Sequence, residues 1–446
     1  MAAQTTMGTS DLQAQHTPPP QTVWRPKTIS NLEDTGLTQG LVAELVLKTI
    51  YFRGQVTGYE VADYIRLPFQ NVVRPVLENL KRERLCEVTG AGGLGAGAYQ
   101  YVITSEGIRR AREYLERTTY TDVAPVPWKQ YVEAMRIQGR ERLTVNEEMM
   151  RRTLKHLILN ESIFDMIGPA VNSGKSIFLY GPPGNGKTTI AESIGRLVLG
   201  NEMYIPYAVE ADGQIIKVFD NINHTVIDES TQRVVTGSLG DKPDARWIRI
   251  KRPVIMVGGE LTLDGLELVY DPVNKYYEAP FQMKANGGMF LIDDFGRQQI
   301  RPRDLLNRWV VPMEKNVDFL ALHTGRKMEV PFEVLIVFST NLPPRDLVDE
   351  AFLRRIRHKI GVTSPSFDEY RSIFERECKA RNIPYQDKAV KYLLQEFYIK
   401  KNRTPRASHP RDLLDQLEDI AAYLNTEPRL SKTLLDRAVS SYFVDM

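Results

Sequence analysis

Cysteine is almost missing from this chain: Cys86 and Cys378 are the only two, and they stand far apart. That scarcity excludes a disulfide framework and a Cys-x-x-Cys metal site, and it points to a reducing compartment. Six histidines are scattered without the spacing of a zinc site. No apolar run approaches the roughly 20 residues that a membrane-crossing helix needs, so no membrane insertion is expected. The first residues lack a basic start followed by an apolar stretch, the pattern of a secretory signal; a cytoplasmic location is the expectation. Nor does one sign of charge dominate. Lys and Arg number 58 against 56 Asp and Glu, a net of +2, which argues against a protein built around whole-surface attraction to nucleic acid.

What is present is length for about two or three cores, with 42% hydrophobic and 26% charged residues, the balance of a globular chain. Residues 1–36 are rich in Gln, Thr and Pro, with Pro18-Pro19-Pro20 in the middle. They hold too few apolar groups to offset the entropy of ordering and are expected to be a disordered tail. In 37–118, apolar periodicity predicts helices over 41–51, 59–65 and around Val73, Val76, Leu77 and Leu80. Strands at 85–88 and 99–103 flank a glycine-rich turn, TGAGGLGAG, and a last helix carries Ile108, Ala111 and Leu115. Three helices followed by a hairpin resemble a winged helix-turn-helix domain. Residues 119–143, with Pro125, Pro127 and Trp128, read as a linker. Over 144–364 strands alternate with helices, which predicts an α/β domain with a parallel sheet covered on both faces. Residues 365–446 are helical in pattern. Ser366 and Glu369 form a capping box, and apolar stripes such as Leu413, Leu417, Ile420 and Leu424 predict a lid of four helices.

The chemistry concentrates in the α/β part. An apolar run at 176–180 leads into GPPGNGKT, residues 181–188, and an apolar-periodic helix follows; this is P-loop spacing in the required strand, loop and helix order. Glycines at Gly181, Gly184 and Gly186 let the loop turn its N–H groups toward phosphate oxygens, with Pro182, Pro183 and Asn185 completing it. The helix start adds its positive dipole end. Lys187 supplies a point charge for the β and γ phosphates and Thr188 a hydroxyl for magnesium, with Thr189 next in the same turn. Downstream, MFLIDD at 289–294 is a buried strand ending in two carboxylates. Asp293 is placed to hold magnesium and Asp294 to orient or deprotonate water; the bland alternative is an acidic turn after a core strand. VLIVFSTN at 334–341 is a third apolar strand, ending in Asn341. An Asn there suits the lytic water or the γ-phosphate, or merely caps the strand.

In combination these elements resemble the AAA+ family of ATPases, over about residues 145–446. GPPGNGKT looks like its Walker A motif, MFLIDD like Walker B, and Asn341 stands where sensor 1 is expected. DEAFLRRIRHKI, residues 349–360, resembles the segment carrying arginine fingers, with Arg354 and Arg355 at the finger positions. HPRDLLDQLED, residues 409–419, resembles the sensor 2 helix, with Arg411 aimed back at the phosphates. The resemblance implies an ATP- and Mg2+-dependent ATPase working as a homo-oligomeric ring, with a hexamer as the suggested size. One position departs: the residue after the Walker B Asp is usually Glu and here is Asp294, which puts the hydrolysis rate in question. A hairpin around HTG, between 317–320 and 327–330, resembles the MoxR-like and chaperone-like branch, whose members often remodel proteins. A longer insertion at 207–282 carries the turn signals DGQ, DNIN, TGS and DPVN and reads as small β-hairpins. Its Tyr276 and Tyr277 suit either packing or gripping a substrate.

Three readings of the target stay open. The first is remodelling of an unidentified protein partner. The second is action on DNA through Arg66, Arg74, Lys81, Arg82 and Arg84, although 37–118 holds 11 Lys and Arg against 9 Asp and Glu. The third is a nucleotide-gated binding module with slow turnover.

Overall fold

Apolar tetrads build the centre of the molecule. In the computed structural model, which describes residues 24–93, 95–141, 144–227, 242–347 and 350–443, the strands Ile177–Tyr180, Met289–Ile292 and Leu335–Thr340 are almost wholly buried. Strands without a polar face must be covered on both sides, as in a parallel sheet. The sheet is parallel throughout and five-stranded, in the order Val254–Val257, Met289–Ile292, Leu335–Thr340, Ile177–Tyr180, His358–Gly361. Its two edge strands alternate in burial, with Met256 turned to solvent. Odd and even side chains feed separate cores. Ile177 and Leu179 pack with Ile190 and Ile194 of the helix Lys187–Leu199, while Phe178 packs with Phe290, Phe338 and Trp309 of the helix Pro302–Lys315.

Parallel register decides where the site lies. Tyr180 pairs with Thr340 and Ile292 with Phe338, so the loops after three strands leave the sheet at one edge. The sequence motifs, some 150 residues apart at their extremes, therefore converge at that edge.

Residues 37–118 contain the helices Gln39–Arg53, Gly58–Ile65, Arg74–Arg82 and Ser105–Leu115 and a three-stranded antiparallel sheet in the order Gln55–Thr57, Tyr99–Ile103, Cys86–Ala91. The glycine-rich turn folds back onto the second helix. A Cβ added at Gly97 would lie 2.3 Å from the Tyr59 ring. Of the five cations noted for DNA, Arg66 stacks on Tyr207 at 4.6 Å and Arg74 pairs with Glu78 at 3.0 Å.

Two expectations need correcting. The tail was expected to run to residue 36; residues 1–23 lie outside the described residues, but 24–36 are packed. Trp24 meets Trp247 edge-on at 5.1 Å, Ile29 and Thr35 are buried, and Asn31 and Asp34 form a capping box. The expected linker is likewise folded. Val126–Pro127 pairs in parallel with Ala208–Ala211, and the helix Trp128–Arg140 buries Tyr131, Ala134, Met135 and Gln138. Apolar groups at i, i+3 and i+4 supply the reason, since they give that helix a face to bury.

The insertion forms more than hairpins. Val269–Asp271, Tyr276–Glu278, Gln214–Lys217, Ala208–Ala211 and Val126–Pro127 make a second five-stranded sheet, mixed in direction. Its TGS turn, at 236–238, lies outside the described residues. Tyr277 is buried and Tyr276 packs on Tyr120, so both tyrosines serve packing. The hairpin Val317–Ala321 with Lys327–Pro331 docks its tip here, where the His323 N–H donates to the Tyr277 hydroxyl at 3.0 Å. At the C-terminal end, the helices Phe367–Ala380, Asp387–Leu393, His409–Tyr423 and Lys432–Tyr442 share a core of Tyr370, Phe374, Leu393, Leu413, Leu417 and Leu435. Both cysteines are buried, and burial pushes the Cys86 and Cys378 thiols up to about 11 and about 12. Among the described residues no helix is long and apolar enough to cross a membrane.

Candidate functional site

The loop between Ile177–Tyr180 and Lys187–Leu199 needs its glycines for two separate reasons. Gly181 and Gly184 have φ of 140° and 78°, which side chains rarely adopt. They are also crowded: an added Cβ would lie 2.2 Å from the Val362 carbonyl oxygen at Gly181 and 2.6 Å from Ser408 Oγ at Gly184. The second contact comes from the lid. The Ser408 N–H donates to the Gly184 carbonyl at 2.8 Å, and the Ala407 N–H to Asn185 Oδ1 at 3.2 Å. Asn185 is buried and its amide also donates to Ser364. Its side chain thus ties the loop to the lid, leaving the backbone for phosphate.

At the sheet edge the motif residues share hydrogen bonds. Lys187 Nζ donates to the Gly181 and Pro182 carbonyls at 2.9 Å each and to Asn341 Oδ1 at 2.7 Å. Asn341 Nδ2 donates in turn to Asp294 Oδ1 at 2.9 Å. Thr188 Oγ1 donates to the Asp293 carboxylate at 3.0 Å. The Asp293 carbonyl accepts from Gln298 Nε2 at 2.8 Å, which pins the strand end. Lys187 is buried, and burial pulls its pKa below the ordinary value; nearby Arg406 acts the same way, while Asp293 and Asp294 oppose. The ammonium therefore stays poorly solvated and is satisfied by carbonyl oxygens, a state that a triphosphate would relieve.

These groups line a cleft of about 360 Å³ between sheet edge and lid. Pro183, Gly184, Gly186, Lys187, Thr188, Thr189, Asp293, Asp294 and Asn341 form the sheet side, and Arg411 reaches it from the helix His409–Tyr423. Arg411 also holds Asp412, at 2.9 Å. Arg354 and Arg355 are not in this cleft: Arg354 is exposed beside Glu350 at 3.5 Å, and Arg355 pairs with Glu314 at 2.5 Å. Sequence reasoning passed over Leu157, Ser339, Glu377, Ala407 and Ser408, which also line the cleft, and Arg406, whose Cδ would lie 3.6 Å from a Cβ at Gly184. Ser339 sits two residues before Asn341 on an inspected strand, so a polar residue in an apolar run was the available signal. Leu157 enters from just after the helix Glu147–Leu154, and the others reach the cleft only because the lid folds over it.

Thr188 and Asp293 offer hard oxygen donors side by side, a set that suits magnesium completed by phosphate and water oxygens. Among the described residues no group of three or more His, Cys, Asp or Glu is gathered for a metal.

Against known proteins the chain shows distant likenesses. A family model described as "Domain of unknown function (DUF8689)" matches residues 366–441, the helical lid. A comparison with curated proteins gives no match. Among solved structures, NtrX from Brucella abortus in complex with ADP is 13% identical with a TM-score of 0.38, over 74% of this chain and 59% of NtrX. The chain thus spans less than two thirds of that protein. The RuvB Holliday junction branch migration motor of Thermotoga maritima is 14% identical with a TM-score of 0.36, over 64% of this chain and 70% of RuvB. At these values neither likeness bears on function, whereas the geometry of the cleft does.

Proposed function

We propose that the chain is an ATPase of the AAA+ class that remodels a protein partner, working as a ring in the cytoplasm. The observation that supports it is the hydrogen-bonded set Lys187, Asn341, Asp294 beside the pair Thr188 and Asp293, all under a lid that docks on the P-loop. In this reading the loop N–H groups and Lys187 take the triphosphate, Lys187 exchanging Asn341 for phosphate oxygens. Thr188 and Asp293 would hold magnesium, whose charge would offset that of the phosphates. Asn341, freed from Lys187, keeps Asp294 oriented, and Asp294 accepts the proton of the attacking water. Arg354, exposed on the surface, is available to a neighbouring subunit's nucleotide, and Arg355 stands next to it, paired with Glu314. Protein rather than DNA is favoured as the target because the glycine-rich turn is occupied by Tyr59, and Arg66 and Arg74 are already engaged.

The test is nucleotide binding and phosphate release by the full chain, with its size in solution measured with and without ATP and magnesium. Lys187→Ala is expected to abolish binding or turnover. A wild-type protein with no affinity for ATP, or a strict monomer with full ATPase activity, would refute the ATPase and the ring respectively.

A further inference from the structure

The lid side of the cleft carries a carboxylate that the phosphate chemistry has no use for. Glu377, in the helix Phe367–Ala380, lines the cleft beside Ala407, Ser408 and Arg411. Asp412 chiefly, with a smaller part from Glu377, raises the pKa of Arg411, which lines the same cleft. Glu377 is not loose: Arg381 grips Oε2, and Arg381 is itself anchored on Asp415 of the neighbouring helix at 2.6 Å. Oε1 keeps its acceptor capacity for something in the cleft.

A fixed carboxylate next to a triphosphate would be repelled by it, so Glu377 must face the part of the ligand that carries donors. A nucleoside triphosphate has such donors at the ribose hydroxyls and at the 6-amino group of adenine. Leu157, on the same cleft, supplies an apolar wall of the kind a base stacks against. In ATP the ribose lies between base and phosphates, so a nucleotide with its phosphates on the loop would set it near the lid segment Ala407–Ser408 that rests on Gly184. We propose that Glu377 accepts a hydrogen bond from a ribose hydroxyl and makes the site selective for ribonucleotides over deoxyribonucleotides. This rests on the ATP-binding reading above. Hydroxyl-to-carboxylate bonds are among the stronger protein hydrogen bonds.

The experiment titrates the full chain with ATP, 2′-deoxy-ATP, 3′-deoxy-ATP and ITP, comparing wild type with Glu377→Ala, Glu377→Gln and Arg381→Ala. Wild type is expected to bind one of the deoxy forms about tenfold or more weakly than ATP. Glu377→Ala should bind ATP about as weakly as that form and lose the preference. Glu377→Gln, which keeps an acceptor without the charge, should retain a reduced preference. Arg381→Ala, which removes the anchor but not the carboxylate, should reduce it too, while the preference retained by Glu377→Gln shows that loss in Glu377→Ala does not come from a misfolded lid. An unchanged ATP to deoxy-ATP ratio in Glu377→Ala overturns the proposal, as does a change confined to the ATP to ITP ratio. Tighter ATP binding by Glu377→Ala also overturns it, since the carboxylate would then only repel phosphate. If wild type binds none of these nucleotides the ATPase reading falls with it, whereas good binding with an unaltered ratio sinks the role of Glu377 alone.

Discussion

Asp294 is the residue whose replacement tests the site most sharply, because its backbone constrains what can stand there. Its φ is +48°, in the left-handed region. That conformation costs an ordinary L residue about 1–2 kcal/mol and is tolerated best, after Gly, by Asn and Asp. The turn cannot relax out of it. The Phe295 N–H donates to the Ser339 carbonyl at 2.7 Å, the Arg297 N–H to the Asp294 carbonyl at 3.0 Å, and the Phe295 ring is buried. Asp294→Asn keeps both the backbone preference and an oxygen for Asn341, so its stability should match wild type within about 0.5 kcal/mol. Asp294→Glu meets the left-handed cost and displaces the acceptor of Asn341, a hydrogen bond with a net value of about 1 kcal/mol. A loss of about 1–2 kcal/mol follows, read as a lower denaturant midpoint at unchanged slope. Turnover should move differently. Asp294→Asn should bind ATP normally and lose phosphate release by about 100-fold or more, the usual contribution of a general base. Asp294→Glu, one methylene longer, should raise phosphate release per folded molecule if the short side chain limits the rate. A Glu variant as stable as wild type would refute the backbone argument. Full turnover in the Asn variant would remove Asp294 from the proton path.

His409 gives a pH prediction. It is buried against Tyr398, and burial, aided by Arg406, brings its pKa down to about 4 from 6.5. The unfolded chain then takes up the proton first, so the stability it contributes is present above about pH 6.5 and is lost as pH falls toward 4. Between pH 7 and 5 the lid should lose about 2 kcal/mol, measurable by urea unfolding; an equally steep loss in His409→Gln would assign it to other groups. Arg406 and Arg411 can be separated by nucleotide titration. Each single Ala variant should weaken ATP binding by about tenfold, and unchanged affinity in Arg411→Ala would show that Arg411 stays with Asp412 and that the lid acts through Arg406.

The core of the site was legible because its signals are local. A strand, a glycine turn and a helix follow one another in GPPGNGKT, and the apolar tetrads before Asp293 and Asn341 announce buried strands whatever surrounds them. Parallel pairing then brings the tips together without further information. Arg411 was legible as a cleft residue by resemblance, but its bond to Asp412 was not. Glu377 was illegible for a different reason. On its own helix it looks like half of an i,i+4 pair with Arg381, and only the docking of Ser408 on Gly184 turns that surface into a wall of the cleft. The left-handed turn at Asp294 left a trace in the choice of Asp over Glu, which sequence alone could read only as a question about rate.

The segments misread as tail and linker share one physical cause. Each carries prolines that read as irregular chain, and each is buried against partners far along the chain. The Arg246 guanidinium shows how. It is wholly buried, is neutralised by Asp244 at 2.8 Å, and donates to the carbonyls of Thr35 and Pro125 at 3.0 Å each. One residue of the insertion thereby satisfies backbone groups from both misread segments, groups that would otherwise be buried without partners. Tyr120 on Tyr276 and Trp24 on Trp247 repeat the pattern with rings. It follows that residues 24–36 and 119–141 act as walls of the inserted sheet rather than as tethers. The unit at 37–118 is thus docked against the α/β part, and any partner it binds is held at a fixed position relative to the insertion.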